Sequence, residues 1–223
     1  MRKRLGLKLI TCCHDIIPVL YPQYCVADVA RQFKEYFTRL LWSSAGILCF
    51  SEQSKRDLTW FSNSIGAPDR PIRVVRLGDT LHDKDGKVSE DIAQIGSSPF
   101  VLFVSTIERR KNHEVLYRAY HHLCAAGHRD KLPKMVFVGM PGWGVAELMK
   151  DLELDPLTHG LFIQLYHVSD IELDFLYANA SFCVYPSLYE GWGLPVAEAL
   201  VHGKAILCSN RGSLPEVGGD LVK

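Results

Sequence analysis

Residues 161–202 read LFIQLYHVSDIELDFLYANASFCVYPSLYEGWGLPVAEALVH. Two short apolar runs in this stretch, Leu161–Tyr166 and Phe182–Tyr185, predict buried strands. Each run precedes a segment with helical periodicity, Ser169–Asn179 and Leu194–His202. Because strands that alternate with helices form parallel sheets covered on both faces, the stretch predicts an α/β fold.

The same alternation extends along the whole 223-residue chain. Six more apolar runs predict strands at Leu7–Cys13, Gly46–Phe50, Ile72–Leu77, Phe100–Ser105, Met135–Val138 and Ala205–Cys208. Four more periodic segments predict helices at Val26–Trp42, Glu52–Asn63, Asn112–Ala126 and Gly144–Leu152. We therefore expect two Rossmann-like, doubly wound parallel-sheet domains.

A polar stretch divides the pattern. Residues 79–98 contain Gly and Ser, lack strong periodicity and are interpreted as a linker. Residues 1–78 form the first predicted domain. It has fewer predicted strands than the about five or six that are usual for this architecture. Residues 99–223 form the second, which ends without a closing helix. The strand count favours a fragment of a larger two-domain protein, and a small natural variant is the alternative.

Composition restricts the partners and the compartment. Lys plus Arg and Asp plus Glu each number 25, so no net field favours nucleic acid as a partner. Seven cysteines without a CxxC pair are typical of free thiols in a reducing, cytoplasmic compartment. No apolar run is long enough to predict a membrane span, and the basic start is better explained by a buried strand than by a signal peptide. Peripheral contact with the inner membrane face stays open.

Loop residues that are suited to binding or catalysis follow the carboxyl ends of the predicted strands. Ligands of open α/β sheets bind outside these ends, so we expect the loops to share one rim. They are His14-Asp15, Arg109-Arg110-Lys111, residues 139–143, His167 and residues 190–193.

The segment EGWGLPVAEAL, residues 190–200, joins a glycine turn to the start of a helix. Free N–H groups at a helix start bind anions. Carboxylates such as Glu190 and Glu198 instead accept hydrogen bonds from hydroxyl groups. The order predicts a ligand that carries a sugar, a phosphate and a ribose in series. The alternative is that both glutamates complement the helix dipole and that Glu190 faces solvent.

Three cations, Arg109, Arg110 and Lys111, precede a predicted helix whose dipole opposes them. A bound diphosphate would explain them, because Arg and Lys bind phosphate by charge-assisted hydrogen bonds. The alternative is pairing with Glu108 and Glu114 on a solvated face.

The His14-Asp15 pair has two interpretations, a functional one and a buried, hydrogen-bonded pair. Other common chemistries lack support in the sequence. GxSxG, HExxH and paired Cys/His spacings are absent, so no nucleophile elbow or zinc site is expected. GxGxxG and GxxxxGK[ST] are absent too, which leaves NAD and P-loop sites without support.

Several segments resemble the retaining family-4 glycosyltransferases, the glycosyl transferases group 1, whose two-Rossmann-domain fold is called GT-B. The segments FVSTIERRKN, YHVSDIELDFLYANASFCVYPSLYEGWGLPVAEAL and SNRGSLPEVGGD match the donor-binding domain. The segments HDIIPVLYPQY, FSEQSKRDL and VVRLG match the end of the first, acceptor-side domain. The resemblance implies that most of the first domain and the C-terminal end of the second are missing.

The resemblance assigns the reacting part of the site. His14 would contact the sugar at the reacting centre, and Glu190 would lie near the transferred sugar. Lys111, with Arg110 beside it, would bind the diphosphate, and Gly193–Leu194 would offer backbone N–H groups to the donor. His14, Glu190 and Lys111 are the expected catalytic residues.

The resemblance also assigns the nucleotide part of the site. Glu198 would hold the ribose, the backbone around His167 and Val168 would meet the base, and Gly139 would line the base pocket. Many relatives have Gly-Arg where this chain has Ser105-Thr106, which removes one phosphate contact.

The implied reaction is transfer of a hexose from a nucleotide-diphosphate sugar to a glycan or lipid-linked acceptor, with retention of configuration. Similarity of HDIIPVLYPQY to bacterial mannosyltransferases of polysaccharide biosynthesis favours GDP-mannose. No metal and no cofactor besides the donor substrate is expected. The alternatives are a GT-B-type nucleotide-sugar epimerase and a catalytically incomplete module that binds a nucleotide sugar.

Overall fold

The computed structural model describes residues 6–78 and 86–222. The strands in these ranges are β1 Ile10–Cys13, β2 Gly46–Cys49, β3 Ile72–Val74, β4 Phe100–Val104, β5 Lys134–Val138, β6 Phe162–Leu165, β7 Phe182–Tyr185 and β8 Ile206–Cys208. The α-helices are α1 Ile17–Leu20, α2 Ala27–Ser43, α3 Glu52–Ser64, α4 Glu90–Gly96, α5 His113–Ala125, α6 Ala146–Leu154, α7 Asp170–Asn179, α8 Leu194–Val201 and α9 Leu214–Gly218.

All predicted strands and helices are present, with bounds that differ by a few residues at most. The sequence did not predict the short helices α1, α4 and α9. Helix α4 lies within residues 79–98, and the interpretation of that segment as a linker stays a prediction. Residues 79–85 of that segment lie outside the described residues.

The described residues form two compact units. The first contains the chain up to Gly78 and two later segments, Tyr189–Gly193 and Arg211–Val217. The second contains the rest. Both later segments belong to residues 99–223, which we expected to form one donor-binding domain; the domain boundaries stay a prediction.

The first unit contains a parallel three-stranded sheet with the order β1-β2-β3. Cys13 pairs with Cys49 in the register of β1 and β2, and Ile47 is central in the sheet. Helices α2 and α3 supply the apolar side chains that cover it, among them Phe37, Leu41 and Leu58. Helix α3 begins where Ser51 Oγ accepts the N–H of Ser54 at 2.9 Å, a standard N-cap. The whole core cluster is Cys13, Ile16, Phe37, Leu40, Leu41, Ile47, Cys49, Leu58 and Phe61.

The second unit contains a parallel five-stranded sheet with the order β6-β5-β4-β7-β8. The chain therefore runs outward from β4 to β6 and then returns to add β7 on the other side of β4. Both β4 and β5 are almost fully buried, which explains their continuous apolar sequences. The reversal places a topological switch point at the carboxyl ends of β4 and β7, where ligands of open α/β sheets bind. The expected α/β class with parallel sheets is confirmed.

Candidate functional site

The loop after β4 is joined to the carboxyl end of β7 by side-chain and backbone hydrogen bonds. Lys111 Nζ donates to Tyr185 Oη at 2.8 Å and lies 5.2 Å from the centroid of the Tyr185 ring. Asn112 Nδ2 donates to the Pro186 carbonyl at 3.2 Å. Asn112 is left-handed, with φ of 63°, so the chain turns sharply into α5. The structure therefore fixes Lys111 at the switch point of the sheet.

Arg110 forms a buried ion pair, which differs from the solvated pairing considered above. Its Nη2 atom lies 2.7 Å from Glu108 Oε1, and the two side chains are 16% and 5% exposed. Glu114 instead pairs with Arg118 on the surface of α5. Because Glu108 faces it at this distance, the charge of Arg110 is partly compensated within the second unit.

His113 lies beneath this loop and is 1% exposed. Its ring stacks on Phe103 at 4.2 Å and meets Phe137 edge-on at 4.8 Å. Among the described residues, no hydrogen-bond partner faces its Nδ1 atom. Burial, followed by the charge of Lys111, lowers the pKa of His113 to about 3. The imidazole is therefore neutral at physiological pH and adds no charge near Lys111.

The loops after β5 and β6 have unusual backbone geometry. Gly139 has φ of 146°, and a Cβ atom there would lie 2.2 Å from the Ser105 carbonyl oxygen, so the position requires glycine. The Gly139 N–H donates to the Leu165 carbonyl at 3.0 Å. His167 is exposed and has φ of 56°, and Val168 follows it half-buried. Left-handed non-glycine residues are uncommon and concentrate at functional sites.

Glu198 lies in α8, directly after the glycine turn. Its Oε2 atom accepts a hydrogen bond from Tyr177 Oη at 2.7 Å. Tyr177 lies in α7 and is 2% exposed, whereas Glu198 is half-buried. The structure thus places Glu198 where one side of its carboxylate is held from within the second unit. Helix α8 begins at Leu194, which Gly193 precedes with φ of 111°.

Glu190 belongs to the first unit and is 6% exposed, so the alternative of a solvated Glu190 is wrong. Its carbonyl accepts the N–H of Ser213 at 3.1 Å. The next carbonyl, of Gly191, accepts the Ser51 hydroxyl at 2.7 Å. A Cβ atom at Gly191 would lie 2.6 Å from the Asp15 Cβ atom, so this close approach also requires glycine.

His14 is exposed, which contradicts the alternative of a buried His-Asp pair. Its ring lies 4.4 Å from the Phe50 ring. Asp15 Oδ1 accepts the Ile17 N–H at 2.9 Å. Ser54 Oγ lies 2.8 Å from the His14 carbonyl and 3.1 Å from the Gly191 carbonyl, so the first unit brings the His14 and Glu190 loops together.

Sequence patterns did not indicate the residues whose hydrogen bonds support the predicted site residues. They are Ser51, Ser54, Tyr177, Tyr185 and Ser213, each of which bonds a predicted site residue or a residue next to one. The bond from Tyr177 spans 21 residues of the chain, and the bond from Ser51 spans 140. A periodic pattern carries no signal for such distant pairs.

Two features are absent from the described residues, a metal-binding cluster and a membrane-spanning helix. Within residues 6–78 and 86–222, no three His, Cys, Asp or Glu side chains are grouped so that they could hold a metal ion. In the same part of the chain, no helix has the length and apolar character needed to cross a membrane. The expectation that the reaction needs no metal stays a prediction.

Residues 87–223 match the family described as "Glycosyl transferases group 1", which covers more than half of the chain. The chain belongs to this family. The match begins within residues 79–98, the segment that we interpreted as a linker. It includes Arg110, Lys111, Glu190 and Glu198. It confirms the resemblance drawn from the motifs.

Curated proteins similar to this chain include bacterial mannosyltransferases. It is 31% identical to O-antigen chain mannosyltransferase B of Escherichia coli, over 96% of this chain and 56% of the relative. It is 50% identical to MMP alpha-(1->4)-mannosyltransferase of Mycolicibacterium hassiacum, over 86% of this chain and 40% of the relative. The chain therefore spans about half the length of the curated relatives it matches.

The fold is also similar to solved glycosyltransferase structures. Sucrose-phosphate synthase from Thermosynechococcus elongatus superimposes with a TM-score of 0.68 at 20% identity, over 96% of this chain and 53% of that one. At this identity the likeness concerns the fold, and it confirms the expected GT-B fold class.

Proposed function

We propose that this chain is part of a retaining glycosyltransferase that transfers mannose from GDP-mannose to a glycan or lipid-linked acceptor. Membership of the group 1 family supports the reaction class. The two mannosyltransferases among its relatives support the sugar. GDP as the nucleotide, the acceptor and the retention of configuration belong to the proposal.

The observation that carries the proposal is the place of Lys111. It lies where the order of strands reverses, between the carboxyl ends of β4 and β7, and Tyr185 Oη fixes its ammonium group at 2.8 Å. A switch point is where open α/β sheets bind their ligands. A cation fixed there is suited to a diphosphate, since ammonium groups bind phosphate oxygens by charge-assisted hydrogen bonds.

The nucleotide would occupy the same edge of the second unit. Glu198 follows the glycine turn and offers carboxylate lone pairs to the ribose hydroxyl groups. The base would lie against the backbone at Gly139 and at His167–Val168, where Gly139 and His167 adopt left-handed φ. Backbone N–H groups at the start of α8, from Leu194, would face the phosphates.

The chemical step breaks the bond between the anomeric carbon and the diphosphate oxygen, and the nucleoside diphosphate leaves with the electron pair. Lys111, Arg110 and the start of α8 would neutralise the negative charge that develops on this leaving group. Glu190 and His14 would orient the sugar while the oxygen of an acceptor hydroxyl forms the new glycosidic bond and its proton passes to the departing diphosphate. Such fixed donors need no reorganisation during the reaction, so their stabilisation acts on the transition state.

Calorimetric titration of the chain with GDP-mannose, UDP-glucose and GDP at physiological salt tests the proposal. We expect preferential binding of GDP-mannose and GDP, and weaker binding by Lys111→Ala. Lys150→Ala is the matched control, because Lys150 is an exposed lysine of α6 in the same unit.

Chromatography of the reaction products with the full-length protein then identifies the reaction. Release of GDP that depends on an added glycan acceptor supports transfer. Conversion of the sugar nucleotide without an acceptor would contradict transfer and indicate an epimerase. Donor binding without any turnover would contradict it in favour of a binding module.

A further inference from the structure

Among the residues that the structure describes, the Glu198 side chain has one hydrogen-bond partner. Tyr177 Oη lies 2.7 Å from Glu198 Oε2, and a carboxylate only accepts, so the phenol is the donor. Burial, followed by the negative charge of Glu198, raises the pKa of Tyr177 well above its ordinary value. The phenol therefore keeps the proton that this hydrogen bond requires.

The position of the Tyr177 ring is fixed by packing against His202. It stacks on the His202 ring, with centroids 5.0 Å apart and planes 21° apart. His202 Nδ1 lies 2.7 Å from the Glu198 carbonyl oxygen, and its Nε2 lies 2.7 Å from Asp174 Oδ1. These contacts fix the orientation of the His202 ring on which Tyr177 stacks.

This arrangement holds Glu198 at two points. His202 fixes its backbone carbonyl near the end of α8, and Tyr177 fixes one carboxylate oxygen from α7. Rotation about the last side-chain bond of a glutamate is otherwise broad. With one oxygen held, the remaining lone pairs of the carboxylate point in fixed directions and can accept two further hydrogen bonds.

We propose that Tyr177 is a positioning residue that fixes the Glu198 carboxylate for the two ribose hydroxyl groups and thereby makes the site selective for ribonucleotides. The inference rests on the proposed function, in which Glu198 holds the ribose. A ribose with adjacent 2′ and 3′ hydroxyl groups donates two hydrogen bonds to one carboxylate, which requires a fixed orientation. A 2′,3′-dideoxynucleotide lacks both hydroxyl donors and gains nothing from that orientation.

Three variants separate the roles. Tyr177→Phe removes the hydrogen bond to Glu198 and keeps the ring that stacks on His202. Tyr120→Phe is the matched control, because Tyr120 is also a buried tyrosine of the second unit and donates to the Pro133 carbonyl at 3.0 Å. Glu198→Gln tests the proposed ribose contact itself.

The measurement is the ratio of the dissociation constants of 2′,3′-dideoxy-GDP and GDP for the full chain. Hydrogen bonds to charged groups predict a ratio of at least roughly ten in the wild type. We expect Tyr177→Phe to lower the ratio to below about three, and Tyr120→Phe to leave it unchanged. Both constants come from one sample, so the ratio does not depend on the fraction of molecules that is folded.

The outcomes distinguish the inference from the proposed function. A wild-type ratio in Tyr177→Phe, together with a lost preference in Glu198→Gln, would overturn the positioning role and leave the ribose contact intact. A wild-type chain without preference, or one that binds neither nucleotide, would overturn the ribose role of Glu198 and the inference with it. An equal loss in Tyr120→Phe would show a general packing effect and would also overturn the inference.

Discussion

Replacing His113 should change how the free energy of unfolding depends on pH. The pKa of His113 is about 3 in the folded chain, well below the ordinary value of 6.5, because the ring is buried and lies near Lys111. The unfolded chain therefore binds a proton below pH 6.5 that the folded chain does not bind. The contribution of neutral His113 to stability is complete above that pH and is lost as the pH falls toward 3.

The expected size follows from the two pKa values. Between about pH 7 and about pH 5, the difference in proton binding lowers the free energy of unfolding by about 2 kcal/mol. His113→Phe removes this titration and keeps an aromatic ring against Phe103 and Phe137. The variant should therefore lose about 2 kcal/mol less than the wild type over the same range.

Urea denaturation at the two pH values, followed by circular dichroism, gives the required free energies. His128→Phe is the control, because it makes the same substitution at an exposed histidine of the same unit. Equal pH dependence in the wild type and His113→Phe would refute the reasoning. It would mean that the imidazole takes up its proton equally well in the folded and unfolded chains.

Three further results are expected. Lys111→Ala and Glu190→Ala should each lower transfer by at least about tenfold in a steady-state assay of the full-length protein, and near-normal rates in both would contradict the assigned roles. Gly139→Ala should lower the midpoint of thermal unfolding more than Gly127→Ala, because both have left-handed φ but only the former meets a carbonyl oxygen, at 2.2 Å. Hydrogen bonds from Ser89 and Ser169 lower the pKa of Glu172 to about 2. The stability that ionised Glu172 contributes is therefore present above pH 4.5 and is lost as the pH falls toward 2. Glu172→Gln should lose less stability than the wild type in an acid titration over this range, and an equal loss would contradict this expectation.

The regular elements followed from the sequence because their apolar periodicity is strong. Strands β4 and β5 are buried along nearly their whole length, so their sequences are continuously apolar. Helix α4 escaped because Ile92 is its one buried side chain, too little for a periodic signal. Its stability comes from distant contacts instead, since Ser89 Oγ donates to Glu172 Oε1 at 2.7 Å.

The sequence indicated candidate site residues but not the side chains that bond to them. Strand ends mark the functional edge of a parallel sheet, so Lys111, Gly139 and Glu198 could be located from local patterns and resemblance. The partners that orient them, such as Tyr177 and Tyr185, are separated from them in sequence. Side-chain hydrogen bonds of this kind depend on the packed structure, and a single sequence does not reveal them.

The two late segments of the first unit affect the order in which this chain becomes structured during translation. The hydroxyl of Ser51 bonds the carbonyl of Gly191, 140 residues later, and the first turn of α3 receives the Glu216 carboxylate at the N–H groups of Glu52 and Gln53. The first half of the chain leaves the ribosome long before these partners exist. At about 5–20 residues per second, the 140 residues from Ser51 to Gly191 take roughly 7–28 seconds to emerge, and until then the N–H groups of Glu52 and Gln53 bind water. Chaperones that hold nascent chains would meet the first unit in this unfinished state.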